Sequence, residues 1–234
     1  MSKSENVKAY LNSINKEFNE GDHPEAYAAL PDASLEFLVE LCKAQGIQKV
    51  FEFGSGRSTK AFLNAGCSVV SIEDSEFWMN ETLKTLNDEE KVKLQPFIRP
   101  LKTRFLGAFL VKDWEIDDEL LKHLQEAELI LIDSPYYTPF RESTLWSSLT
   151  LGNEAFVILD DTRIPTLNRF CDRIAKANKS LLHKRIKVGH GLDIFYRDGN
   201  STNSFSLDHS FSDVVKGWNR FYKGCKFYSD LKKG

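Results

Sequence analysis

The chain has 234 residues, of which 41% are hydrophobic and 28% charged, with a formal net charge of −3. That length suits one sizeable α/β domain, and a slightly acidic chain lacks the electrostatic footprint of a duplex-binding protein, which argues against a nucleic-acid partner while leaving room for a local basic patch. No apolar run reaches membrane-spanning length and the polar start MSKSENVKAYLNSINKEF has no signal-type core, so a cytoplasmic protein is expected. Cys42, Cys67, Cys171 and Cys225 are scattered without metal-type spacing and read as reduced, mostly buried thiols. The triplets NET, NKS and NST read as chance matches to a glycosylation acceptor.

Residues 2–20 set Val7, Tyr10, Leu11, Ile14 and Phe18 at helical spacing among charges. Asp32 and Ser34 precede a helix, LEFLVELCKAQG, that Gly46 closes. The strand KVFEF follows, then a glycine turn, a helix from about Ser58 to Ala65, and a second strand, SVVSIE. SEFWMNETLKTLNDEE reads as one helix and VKLQPFIRPL as a third strand, while residues 102–115 carry no clear pattern. DDELLKHLQEA is a helix, ELILID a fourth strand, STLWSSLTL a helix, AFVILD a fifth strand and TLNRFCDRIAKAN a helix. HKRIKVGHGLDIFYR reads as two strands joined at Gly189-His190-Gly191.

Strands alternating with helices at this spacing predict parallel βαβ units in an α/β, Rossmann-like, doubly wound sheet. The runs LILI and AFVIL, apolar without alternation, suit strands buried on both faces, and the closing hairpin puts an antiparallel strand at the C-terminal end of the sheet. With no internal repeat, one domain is expected: N-terminal helices to about 45, a core over about 46–200 and an extension over 201–234.

The stretch KVFEFGSGRST, residues 49–59, carries the functional question. In such sheets ligands bind at the carboxyl ends of the strands near the topological switch point, which is where a turn from first strand to first helix lies. The second strand ends in Glu73, about twenty residues on, at the position suited to ribose hydroxyls. Dinucleotides would put a pyrophosphate on the helix N-terminus, and Glu52 beside it would repel that charge. S-adenosylmethionine instead brings an ammonium and a sulfonium, which a carboxylate favours. The spacing G-x-G-x-x-G is also missing, since Arg57, Ser58 and Thr59 follow Gly56. Tightening of a strand–helix turn is the bland alternative for the glycines.

FEFGSGRST…VVSIE resembles the nucleotide-binding motifs of the class I S-adenosylmethionine-dependent methyltransferases, over roughly residues 30–200. Ser58 departs from the third glycine of many members. The resemblance implies that Glu52 faces the methionine amino group and that Gly54, Ser55 and Gly56 pass under the cofactor, with Ser58 and Thr59 in the same stretch. It further implies that Glu73 holds the ribose and that Phe77 or Trp78 packs near the adenine, the core being the alternative place for both.

The fourth strand ends LIDSPYY and the fifth VILDDTRIP, so Asp133, Asp160 and Asp161 should converge on the cofactor's face. Three carboxylates without nearby lysines repel one another unless something positive sits among them. Magnesium bound by oxygen ligands is one partner, and the arrangement resembles that of cation-dependent O-methyltransferases, whose metal orients and activates a substrate hydroxyl. Capping of the following turns is the other reading. Asp133, which also borders the cofactor, Arg141 and His190 are the catalytic candidates. Arg141 is read as binding an acidic substrate group, pairing with Asp160 or forming a surface ion pair; His190 as a general base or a structural turn residue.

The expected function is methyl transfer from S-adenosylmethionine to a small molecule, with oxygen the preferred acceptor. Three alternatives stay open. DSPYY loosely resembles the [D/N]-P-P-[Y/F] signature of methyltransferases acting on amide or nucleobase nitrogen, broken here at Ser134. The others are an NAD-dependent oxidoreductase and a non-catalytic cofactor-binding protein. The aromatic and basic end, FSDVVKGWNRFYKGCKFYSDLKKG, reads as a helix packing Val214, Val215, Trp218 and Phe221 on the domain or on a second copy of the chain, with a membrane-surface or nucleic-acid element as the alternative.

Overall fold

The structure, a computed structural model, describes residues 3–14, 30–106, 108–137, 140–196 and 211–231. Phe18, the connection 197–210 and the side chains of Val214 and Val215 lie outside the described residues.

Seven strands form one sheet: β1 (Lys49–Phe53), β2 (Ser68–Glu73), β3 (Leu94–Ile98), β6 (Leu129–Ile132), β7 (Phe156–Leu159), β8 (Leu182–Ile186) and β9 (Leu192–Tyr196). Their order is β3-β2-β1-β6-β7-β9-β8. The first five run parallel, and β9 is antiparallel to both its neighbours. The reversed strand therefore lies at the expected end of the sheet, one place in from the edge. Chain order reverses direction between β1 and β6, which creates a crevice at their carboxyl ends.

Period-two alternation divides the core between two faces. Val50, Leu129, Leu131, Phe156, Ile158 and Ile194 pack under α1 (Lys3–Ser13), α2 (Asp32–Gln45) and α3 (Arg57–Asn64). Phe51, Phe53, Ile130, Ile132, Val157, Leu159 and Phe195 pack under α6 (Asp118–Glu126), α7 (Arg141–Leu151) and α8 (Pro165–Ala177). β6 and β7 are buried throughout, as interior strands covered on both faces must be. Cys42, Cys67 and Cys171 are buried free thiols, and Cys225 is half-buried.

Two segments differ from the sequence reading. The single helix expected over SEFWMNETLKTLNDEE is two, α4 (Glu76–Lys84) and α5 (Asp88–Lys93). Asn87 breaks it by capping α5 reciprocally with Glu90: Glu90 N–H donates to Asn87 Oδ1 at 2.9 Å and Asn87 N–H to Glu90 Oε2 at 2.7 Å. Residues 101–114 form a separate antiparallel hairpin, β4 (Leu101–Leu106) and β5 (Phe109–Trp114), so the third strand is shorter than the apolar run suggests. Charges interleaved along the hairpin hide its alternation. Trp114 carries it into the core beside Phe53, with ring centroids 5.8 Å apart.

Candidate active site

The turn after β1 is built from both of its acids. Glu52, on the penultimate residue of β1, has no accessible surface, and its carboxylate accepts hydroxyl hydrogen bonds from Ser58 at 2.9 Å and from Thr59. Burial pushes this carboxyl up to about 7, against the hydrogen bonds from Thr59 and Ser58 that pull it down, and the Asp133 charge adds to the rise. Thr59 in turn accepts the Gly56 N–H at 2.9 Å. Glu52 is thus a brace between β1 and the first turn of α3. The resemblance has Glu52 facing a ligand ammonium; its oxygens also accept the Ser58 and Thr59 hydroxyls.

The two glycines of the turn have separate duties. Gly54 has φ +103°, and a Cβ there would lie 2.8 Å from Ser134 Cβ, so it serves the close approach of β1 to the loop after β6. Asp133 and Ser134 both donate backbone N–H groups to Phe53 O, at 3.0 and 2.8 Å, which locks that approach. A Cβ on Gly56 would meet nothing within 4 Å. The space above Gly56 is open.

Glu73, at the end of β2, is 6% exposed. Its carboxylate accepts backbone N–H groups from Ser55 at 3.0 Å, Asp74 at 3.0 Å and Ser75 at 3.1 Å. Burial raises its pKa to about 7, despite the Ser55 N–H that lowers it. Phe77 and Trp78, at the start of α4, form an edge-to-face pair at 5.2 Å and are 62% and 56% exposed. They are surface residues, not core, on the flank that Glu73 opens.

On the other side of the crevice, the acids at the ends of β6 and β7 do converge, and a cation is among them: Arg141. This side chain, from the first turn of α7, is 6% exposed. Its Nη1 lies 3.2 Å from Asp133 Oδ1 and 3.0 Å from Asp161 Oδ2, and its Nε donates to Pro135 O at 3.0 Å. The pairing is therefore buried, and with Asp133 and Asp161, not with Asp160 and not at the surface. Asp161 adopts φ +62°, unusual for a non-glycine residue, which turns its carboxylate back toward this cluster. Its other oxygen lies 3.3 Å from His190 Nδ1. His190, 39% exposed at its side chain, is held against the β7 turn by backbone bonds from Thr162 N–H to Gly191 O and Arg163 N–H to His190 O, both 3.0 Å.

Asp160 is 2% exposed, and burial together with the Asp133 and Asp161 charges raises its pKa well above the carboxylate range. The neighbouring Asp133 carboxyl is lifted by burial to about 6, while Arg141 draws it down. Asp160 Oδ1 has no hydrogen-bond partner among the described residues. The arrangement lends the magnesium reading no support. Arg141 supplies a positive charge among the three acids, and the two Asp161 oxygens face Arg141 and His190. Asp160, Asp161 and His190 do offer ligand atoms within 4.8 Å of one another, but Asp133 is drawn off to the arginine, so the set expected for magnesium does not assemble.

This architecture is a Rossmann-like α/β fold of the kind found in methyltransferases. Among solved structures it matches a methyltransferase from Geobacter sulfurreducens, with a TM-score of 0.53 at 13% identity over 82% of this chain and 96% of that one. It also matches a protein from Corynebacterium glutamicum, with a TM-score of 0.52 at 12% identity over 89% and 99%. At that identity the likeness is one of fold. No family model matches the sequence, and no curated protein is detectably similar to it. No described helix is long and apolar enough to cross a membrane.

Proposed function

We propose that this protein transfers a methyl group from S-adenosylmethionine to a hydroxyl of a small-molecule acceptor. The observation that carries the reading is the open space above Gly56 at the sheet's switch point, with the buried acid Glu73 bonded to the neighbouring Ser55 N–H and the Asp133–Arg141–Asp161–His190 cluster at the adjacent strand ends. S-adenosylmethionine fits that donor set better than a dinucleotide does. The acids beside the turn, Glu52 and Glu73, are hydrogen-bonded to hydroxyls and backbone N–H groups, and Arg57 is turned away to Asp32, so the local field is negative, which suits a cationic group and opposes a pyrophosphate.

Bound there, S-adenosylmethionine would supply a methyl group on a positively charged sulfur. The chain's own residues supply the rest. Glu73 would accept the ribose hydroxyls, and Ser55 and Gly56 would line the open space with backbone. Glu52 acts at one remove by fixing Ser58, Thr59 and hence the Gly56 N–H. On the acceptor side Asp161 orients His190 through Nδ1, which leaves Nε2 of the neutral ring to take the acceptor's hydroxyl proton. Arg141 holds Asp161 in that pose and neutralises the acid cluster, so proton removal needs no metal. Buried free thiols are in keeping with a cytoplasmic setting.

Transfer of a radiolabelled methyl group from S-adenosylmethionine to a panel of small hydroxylated compounds, run in excess chelator, tests this reading. Transfer should persist with chelator, and His190→Ala should abolish it while binding of S-adenosylhomocysteine is kept. Activity that disappears with chelator and returns with magnesium would overturn the assignment of Arg141, and transfer to nitrogen acceptors alone would overturn that of oxygen.

A further inference from the structure

The last helix, α9 (Phe211–Leu231), places Phe221, Gly224, Phe227 and Tyr228 on one face at helical spacing. The partners of that face lie on one short segment, the loop that leaves the carboxyl end of β6 and enters α7. Phe140 is packed between Phe221, at 6.1 Å, and Tyr228, whose ring is stacked on it at 6.2 Å and 8°. Tyr136 stacks on Phe227 at 5.5 Å and 8°. Tyr137 donates its hydroxyl to Arg220 O at 3.3 Å, and its N–H reaches Tyr228 Oη at 3.5 Å. Arg220 Nη1 pairs with Glu142 at 2.7 Å. Gly224 permits the contact: a Cβ there would lie 2.8 Å from the Tyr137 ring and run into Phe140.

That loop carries Asp133 at its start and Arg141 at its end, so α9 is docked on the strand-end side of the sheet, over the acceptor half. Tyr228 is fixed on that loop twice, by its ring on Phe140 and by its hydroxyl on the Tyr137 N–H.

We propose that the C-terminal half of α9 roofs the acceptor half of the ligand cleft and that Tyr228, held on Phe140 and on the Tyr137 N–H, is a ligand-positioning residue there. The proposal rests on the methyltransferase reading, and it makes the C-terminal extension part of the site instead of a separate packing element. A helix there excludes water from the reacting groups and must loosen for ligands to pass.

Hydrogen exchange on the full chain, with and without saturating S-adenosylhomocysteine, tests it alongside stopped-flow dissociation rates. Bound ligand should slow exchange over 221–231 by about tenfold or more, together with the turn at 54–56. Tyr228→Phe keeps the ring on Phe140 and removes only the hydroxyl. It should speed ligand dissociation roughly three- to tenfold at an unchanged melting temperature, which a merely structural tyrosine would not do. Gly224→Val, which forces the helix off Phe140 and Tyr137, should speed it further. Protection at 54–56 with α9 exchange unaltered, and both variants releasing ligand at the wild-type rate, would overturn the roof while leaving the cofactor assignment intact. Absence of any protection at 54–56 would overturn both.

Discussion

The cofactor half of the crevice is made from neighbours in sequence: Glu52, the glycine turn, the first turn of α3 and the end of β2. The acceptor half is made from three separate loops, after β6, after β7 and between β8 and β9, which only the sheet order brings together. The first half spends its carboxylates on backbone N–H groups and hydroxyls, so its acids hold a shape. The second sets its carboxylates against one buried guanidinium, so its acids hold a charge balance. Perturbing the first should change what binds, and perturbing the second should change stability and chemistry while binding of the cofactor survives.

The largest effects are expected at the two glycines, in opposite readouts. Gly56→Val should abolish S-adenosylhomocysteine binding in calorimetry with little change in melting temperature, because its side chain enters open space. Gly54→Val should unfold or strongly destabilise the protein, since it combines a positive φ with a contact at 2.8 Å and costs about 3 kcal/mol or more. If the two variants behave alike, the division of labour in this turn is wrong.

Arg141→Ala comes next. It leaves Asp133 and Asp161 buried without their cation, a loss of about 3–5 kcal/mol, which in a domain of this size lowers the melting temperature by about 2–4 °C per kcal/mol. Cofactor binding in the folded fraction should be largely retained. Glu73→Ala is the mirror case: the ribose side should weaken S-adenosylhomocysteine binding by about 1.5–3 kcal/mol, with the acceptor cluster undisturbed. Equal loss of cofactor affinity in both variants would erase the distinction between the halves.

A smaller effect follows from burial. Glu52, Glu73 and Glu142 have pKa values raised from 4.5 to about 7, so the folded state holds these protons more tightly than the unfolded chain. Stability from this source is fully present below about 4.5 and is lost as pH rises through about 7. The melting temperature of the ligand-free protein should fall by several degrees from about pH 5 to about pH 8, and Glu52→Gln should flatten part of that fall. A melting temperature that climbs over that range would contradict the buried-acid picture.

The sequence showed the sheet, its reversed strand and the place of the site because apolar runs, glycine turns and strand-end acids are local signals. It concealed the β4–β5 hairpin, whose strands LKTRFL and FLVKDW carry charges without a clean alternation and draw on Trp114 and Asp113 for burial. It concealed the break at Asn87, although Asn87-Asp-Glu-Glu90 carries the capping signature. In the site, the convergence of Asp133, Asp160 and Asp161 was legible from strand ends. The identity of their cation was not, because Arg141 reaches Asp161 only through the sheet order and the αL turn at Asp161. The separate duties of Gly54 and Gly56 were likewise invisible, since they depend on Ser134 from a distant loop. Tyr228 lacked any local mark, its meaning resting on Phe140 and on the Tyr137 N–H.

Calorimetric titration of the wild-type chain with S-adenosylhomocysteine, and in parallel with NAD, is the most direct test of the central claim that the crevice between β1 and β6 is a methyl-donor site. Saturable one-to-one binding of S-adenosylhomocysteine, lost in Gly56→Val, with no comparable binding of NAD, is the expected result; saturable binding of NAD with none of S-adenosylhomocysteine would contradict it.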